Sequence, residues 1–202
     1  MKVLLSGAAV AALALGVCAT GAEAQTYNRL VVFGDSLSDN GNLYMATSGT
    51  QPASPPYWQG RFSSGRGFTE QLGFNAANFM GPVTGSINMA FGGARTDAQA
   101  MPPGMKVQLG QYLSRGGKFG ADDLVTVLGG ANNIFQGLPA AGGSTNPTSS
   151  IATVSNAAAA DISGLVGSVA GAGAGTIAVI SSGARLRLRW RTMPSPRSTR
   201  RC

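Results

Sequence analysis

A chain of 202 residues, 44% of them hydrophobic and 11% charged, is long enough for one domain with a real core. With no histidine, and Cys18 and Cys202 as its two cysteines, it offers no disulfide framework for a mature domain and little to hold a catalytic metal. The net charge of +7 is confined to the end: residues 1–180 carry eight Lys/Arg and eight Asp/Glu, whereas Arg185, Arg187, Arg189, Arg191, Arg197, Arg200 and Arg201 face no acid in the last 22 residues.

The chain opens with Met1-Lys2, then an apolar run from Val3 to Val17, then Ala22-Glu23-Ala24. That order predicts a secretory leader over residues 1–24, cleaved before Gln25, and a periplasmic or extracellular destination. Val17, where a lipoprotein signal wants a small residue, argues against lipid attachment at Cys18. Tyr27 to Gly34 is expected to be a strand, with Leu30 to Phe33 buried, stopping at Gly34-Asp35-Ser36. Residues 43–67, rich in Gly, Pro and Ser with Tyr57, Trp58 and Phe62, read as a long loop. Phe68 to Met80 is expected to be helical, Ser86 to Phe91 a second strand ending at Gly92-Gly93, and Met105 to Leu113 a helix with Val107, Leu109 and Tyr112 in its apolar pattern. Leu124 to Leu128 is a strand covered on both faces, ended by Gly129-Gly130. Residues 137–149 read as a loop, Ser150 to Ala170 as an alanine-rich helix and Thr176 to Ile180 as a fourth strand.

Strands alternating with helices imply an α/β domain with a parallel sheet between helical layers. In such a sheet the turns after three strands fall on one edge, at Gly34-Asp35-Ser36, Gly92-Gly93 and Gly129 to Asn133. Acyl transfer needs a nucleophile, a base and donors for an oxyanion. Ser36 is the candidate nucleophile. Its own N–H, the Gly93 N–H and the Asn132 amide are candidate donors. Taken singly, each has a plainer reading: Ser36 and Asp35 as turn residues, Gly92-Gly93 as a tight turn, Asn132 as a cap. Asp39 reads as a turn or cap residue, and Trp58 as loop packing or an acyl-chain contact.

Gly34-Asp35-Ser36-Leu37, Asn88 to Ala94 and Gly130-Ala131-Asn132-Asn133 together resemble the three blocks of the GDSL, or SGNH, hydrolases. With Gly60-Arg61-Phe62-Ser63, the chain is most similar to the secreted bacterial esterase/lipase branch, which includes autotransporter passenger esterases. The resemblance covers roughly residues 28–180. It implies a three-layer α/β/α sandwich of flavodoxin-like type, and carboxylic-ester hydrolysis without metal or other cofactor. It also implies Ser36 as nucleophile, Ser36, Gly93 and Asn132 as the oxyanion hole, and Asp35 and Asn133 in support. Asn133 stands where the family usually has Asp. The implied partner is an ester or lipid small molecule. Nucleic acid is not implied, and outer-membrane association would follow only from a barrel domain in longer relatives.

The family's base is a histidine in a late Asp-x-x-His block, and this chain has none. Neither Asp161 nor Asp122-Asp123 is a convincing substitute. The expectation is a hydrolase domain over residues 25–180, incomplete at its C-terminal side and inactive or nearly so. Residues 181–202 would then be a tail of frameshift-like composition rather than a functional basic arm. The rival expectation is a non-catalytic secreted ligand-binding protein on the same fold.

Overall fold

The structure, a computed structural model, describes residues 26–181 and the backbone of residues 187–188. The expected leader, Cys202 and, apart from Ser181 and the backbone of residues 187–188, the arginine-rich tail lie outside the described residues.

Strand β1 (Arg29–Gly34) is central, as its burial demands: Leu30, Val31, Val32 and Phe33 are all fully buried. β2 (Ile87–Asn88) and β3 (Asp123–Gly129) flank it, and β4 (Thr176–Ser181) pairs with β3. These four strands are parallel; β5 (Arg187–Leu188) adds an antiparallel edge. The spatial order β2-β1-β3-β4-β5 reverses direction of travel between β1 and β3. A crevice at the carboxyl ends of these two strands is where open α/β sheets bind ligands.

Alternate residues of the strands feed two cores. Val31, Phe33, Val125 and Val127 face α3 (Met105–Ser114) and α5 (Pro147–Gly171), joining Met105, Tyr112, Leu165 and Val169. Phe33, Tyr112 and Phe119 form an aromatic group there, with centroids 5.0 to 6.3 Å apart. Leu30 and Val32, on the other face, pack with Ala90, Phe74 and Leu124. At the amino ends of β1 and β3, the Arg29 guanidinium grips Asp123 through two bonds of 2.9 and 2.5 Å. The register Arg29↔Asp123 is thereby locked.

Three expected elements differ. The helix over Phe68 to Met80 is only α2 (Phe68–Gln71). Gly73, at φ +84°, takes a left-handed turn that no helix continues. The chain then runs extended, so that Ala77 bridges Ile87 beside β2. Tertiary pairing here overrides an apolar spacing that suited a helix. The loop expected over residues 43–67 begins with a short helix, α1 (Asn42–Ala46). The loop expected over residues 137–149 starts instead as the second half of α4 (Ala131–Gly142), despite Pro139. α4 lies against α5, close enough that a Cβ on Gly137 would come within 3.2 Å of Val154. That packing outweighs poor local propensity. α5 starts as its sequence suggests, with Pro147 in the first turn and the Asn146 side chain accepting from Ser149 N–H at 3.0 Å.

Candidate active site

Hydrogen bonds bring the three strand ends together. Past β2 the chain stays beside β1, with Met89 N–H donating to Val32 C=O (2.8 Å) and Phe91 N–H to Gly34 C=O (3.1 Å). On the other side, Asp35 N–H donates to Leu128 C=O at 3.2 Å. Asn132, in the first turn of α4, donates one amide N–H to Ala94 C=O at 2.9 Å. Ser36, Gly93 and Asn132 therefore share the carboxyl edge of the sheet at the reversal between β1 and β3. Ser36 is partly exposed, and Leu37 beside it is open to solvent.

The donors at this edge are unspent. Among the described residues the backbone N–H groups of Ser36 and Gly93 have no hydrogen-bond partner, nor has Ser36 Oγ. Asn132 has used one of its two amide N–H donors. Gly93 sits at φ +79°, which turns its peptide out of the β2 direction.

Asp35 points inward and is 1% exposed. Its Oδ1 accepts from Leu37 N–H (3.1 Å), and its C=O accepts from Ser38 and Asp39 N–H, closing the turn that carries Ser36. Burial pushes its carboxyl up to about 6, and the Leu37 bond only partly opposes this. Asp39 is the hub of the next turn. Its two oxygens accept from Gly41 (2.8 Å), Asn42 (2.6 Å), Leu43 (3.1 Å) and Gly92 (2.8 Å) N–H groups. It thus caps α1 and ties the Ser36 turn to the glycine turn. Burial raises its carboxyl above the ordinary range, against the pull of those four bonds. A Cβ at Gly92 would come within 2.5 Å of Phe62 Cε2 and 2.7 Å of Leu43 Cδ2, so a larger residue there requires these side chains to shift.

Buried amides complete the frame. Asn42 donates to Asn88 and Ala90 C=O, and Asn88 donates to Ser38 C=O at 2.7 Å. Gln108 brackets the Gly34 peptide, accepting its N–H at 2.9 Å and donating to its C=O at 2.8 Å, where β2 has already ended. Asn133 Oδ1 accepts from Thr96 N–H at 2.9 Å, fixing the far end of the glycine turn. Trp58 packs under the Arg61 guanidinium, 5.1 Å from its ring centre. A cavity of about 340 Å³ lined by Asn40, Arg61, Glu70 and Phe74 does not include Ser36, Gly93 or Asn132.

A family model, GDSL-like Lipase/Acylhydrolase, matches residues 30–184, from the first residue of the buried run to just past β4. The chain belongs to this family. It is also 36% identical over 114 residues to a phosphatidylcholine-sterol acyltransferase of Aeromonas hydrophila, a match covering 53% of this chain and 33% of that protein. The chain thus spans about a third of that relative's length. The parallel sheet described above is the α/β fold expected of the GDSL/SGNH family.

Within that frame, two groups of residues escaped sequence reasoning. Asp39 was read as a cap, which it is, but its bond to Gly92 has no local signal. Gln108 was missed because Val107, Leu109 and Tyr112 drew the apolar pattern, whereas Met105, Gln108 and Tyr112 are the residues fully buried. A polar residue three and four positions from buried neighbours was the available hint. Asp161, set aside as a base, is paired with Lys106 and accepts from Thr96 Oγ1 at 3.0 Å. Asp123 is held by Arg29 at the opposite edge of the sheet from Ser36.

Proposed function

We propose that this chain carries the nucleophile and oxyanion hole of a serine acyl-ester hydrolase. What supports the reading is that Ser36, Gly93 and Asn132, each with an unspent N–H, stand on one edge of the sheet with a partner-free Ser36 hydroxyl. In this reading Ser36 Oγ attacks the ester carbonyl carbon, and the carbonyl oxygen becomes an anion held by those donors. Collapse expels the alcohol and leaves an acyl-serine, which water then hydrolyses. Asp35 and Asn133 act by holding the turns, not by touching substrate. No cofactor enters the scheme.

The substrate class is an acyl ester, lipid esters included; the Aeromonas relative's name supports a lipid acyl donor. A leader over residues 1–24 would deliver the site outside the cytoplasm.

No imidazole is present in the 202 residues to take the Ser36 proton. Loss of one triad member costs about 10⁴ to 10⁶ in rate. The chain by itself is therefore expected to show little or no turnover of a short p-nitrophenyl ester, at most the ~10³–10⁴ over water that an oxyanion hole alone retains. It is also expected to be labelled slowly at Ser36 by a fluorophosphonate at alkaline pH. Absence of labelling at Ser36 would remove the nucleophile. Repeated turnover that disappears in Ser36→Ala would remove the claim that the base is missing. The lack of histidine also supports a second reading, a ligand-binding protein without chemistry, which predicts saturable binding of an ester with no labelling.

A further inference from the structure

The segment from Gly93 to Thr96 is held by more than its neighbours in sequence. Asn132 holds the Ala94 C=O, Asn133 the Thr96 N–H, and the first N–H of α3, on Met105, donates to Arg95 C=O at 2.8 Å. The Thr96 side chain, 1% exposed, reaches across to a different element: its Oγ1 donates to Asp161 Oδ2 on α5, 65 positions away. The other Asp161 oxygen pairs with the Lys106 ammonium of α3, so the carboxylate is oriented from both sides. Three helices thus meet on a four-residue segment whose first residue is Gly93.

We propose that Thr96, Asp161 and Lys106 form a positioning network that sets the Gly93 N–H for the oxyanion. The inference rests on the reading of Gly93 given above. Thr96 lies three residues past Gly93, and Gly93 itself sits in the turn closed by Ala94 N–H donating to Phe91 C=O at 3.1 Å. Without the Thr96–Asp161 bond the segment keeps its ties to α4, from Asn132, Asn133 and Gln136, and to Met105 of α3, and the Gly93 N–H is held less narrowly. A donor misplaced by about 1 Å costs on the order of 10²-fold in a reaction that depends on it. Lys106 is half exposed and acts only through Asp161.

The test is the second-order rate of fluorophosphonate labelling at Ser36 in the full chain, measured well below the thermal midpoint of each protein. Thr96→Val and Asp161→Ala are expected to lose about tenfold or more. Thr96→Ser, which keeps the hydroxyl, is expected to restore most of the rate. A role limited to stability would lower the midpoint and leave the labelling rate of the folded protein where it was. That result, or wild-type rates in both variants, overturns the network while leaving Ser36 as nucleophile. If Thr96→Val does not fold, Asp161→Asn decides. It keeps an acceptor for Thr96 but loses the ion pair, so an intermediate rate is expected and a wild-type rate counts against the proposal. Failure of the wild type to label would overturn the functional reading and this inference together, which separates the two cases.

Discussion

Asp35 and Ser36 are adjacent and have opposite environments: the hydroxyl meets solvent, and the carboxyl is sealed in. A carboxyl raised to about 6 by burial binds its proton more tightly when folded than when unfolded, where it titrates near ~4. Its contribution is therefore fully favourable at low pH and is lost as pH climbs from ~4 through about 6. Two units correspond to roughly 2–3 kcal/mol. Asp35→Asn, which can still accept from Leu37 N–H, is expected to be more stable than the parent by about that much at pH 7.5, and about equal at pH 4. Urea unfolding at the two pH values checks this; a constant difference would be against it. Gly92 gives a prediction of the opposite sign. Gly92→Ala forces a methyl into the Phe62 ring and should cost about 1–3 kcal/mol, read as a lower urea midpoint. Both residues stood out in the sequence, as a Gly-Asp-Ser turn and a Gly-Gly pair. Neither the burial of Asp35 nor the ring over Gly92 did, because each depends on segments dozens of positions away.

Elements here are placed by side-chain ties as much as by the strand ladder. Asp39 supplies acceptors for the start of α1 and for Gly92, so Asp39→Ala removes four bonds and leaves buried N–H groups unpaired. A loss of about 2–4 kcal/mol is expected, with slower labelling of Ser36 because the two turns part. Asp39→Asn, still an acceptor through one oxygen, should recover part of each. At the other end of β1, Asp123→Asn leaves Arg29 short of its partner in a largely enclosed site, where Arg29 also donates to Val83 C=O at 3.2 Å. The exposure of the guanidinium tempers the cost to about 2 kcal/mol, seen as a shifted midpoint with no change in labelling rate. The strands were legible because a short β-branched run has few other uses. The stretch from Leu72 to Ser86 was not: Leu72, Ala76 and Phe79 suit a helix face as well as an extended path, and only the bridge of Ala77 to Ile87 chooses.

At the scale of the molecule, the proposed oxyanion donors in a sequence with no histidine make a distinct prediction. Added imidazole should accelerate fluorophosphonate labelling of the parent chain in a concentration-dependent way and do nothing to Ser36→Ala, because a free base can enter a site that lacks its own. No acceleration would count against the reading that Ser36 needs only a base to react. The sequence by itself determined the parallel α/β class, the three strand ends that share an edge and the identity of the groups standing on them. Those features follow from local periodicity and from the geometry of a parallel sheet, in which every strand end after a crossover faces the same way. Tertiary structure decided what holds them in place: Gln108 around the Gly34 peptide, Asp39 across to Gly92, and Asp161 on Thr96. A side chain's hydrogen-bond partner is whatever polar group the fold brings within 3 Å or so, and no local pattern encodes a partner 53, 65 or 74 positions away.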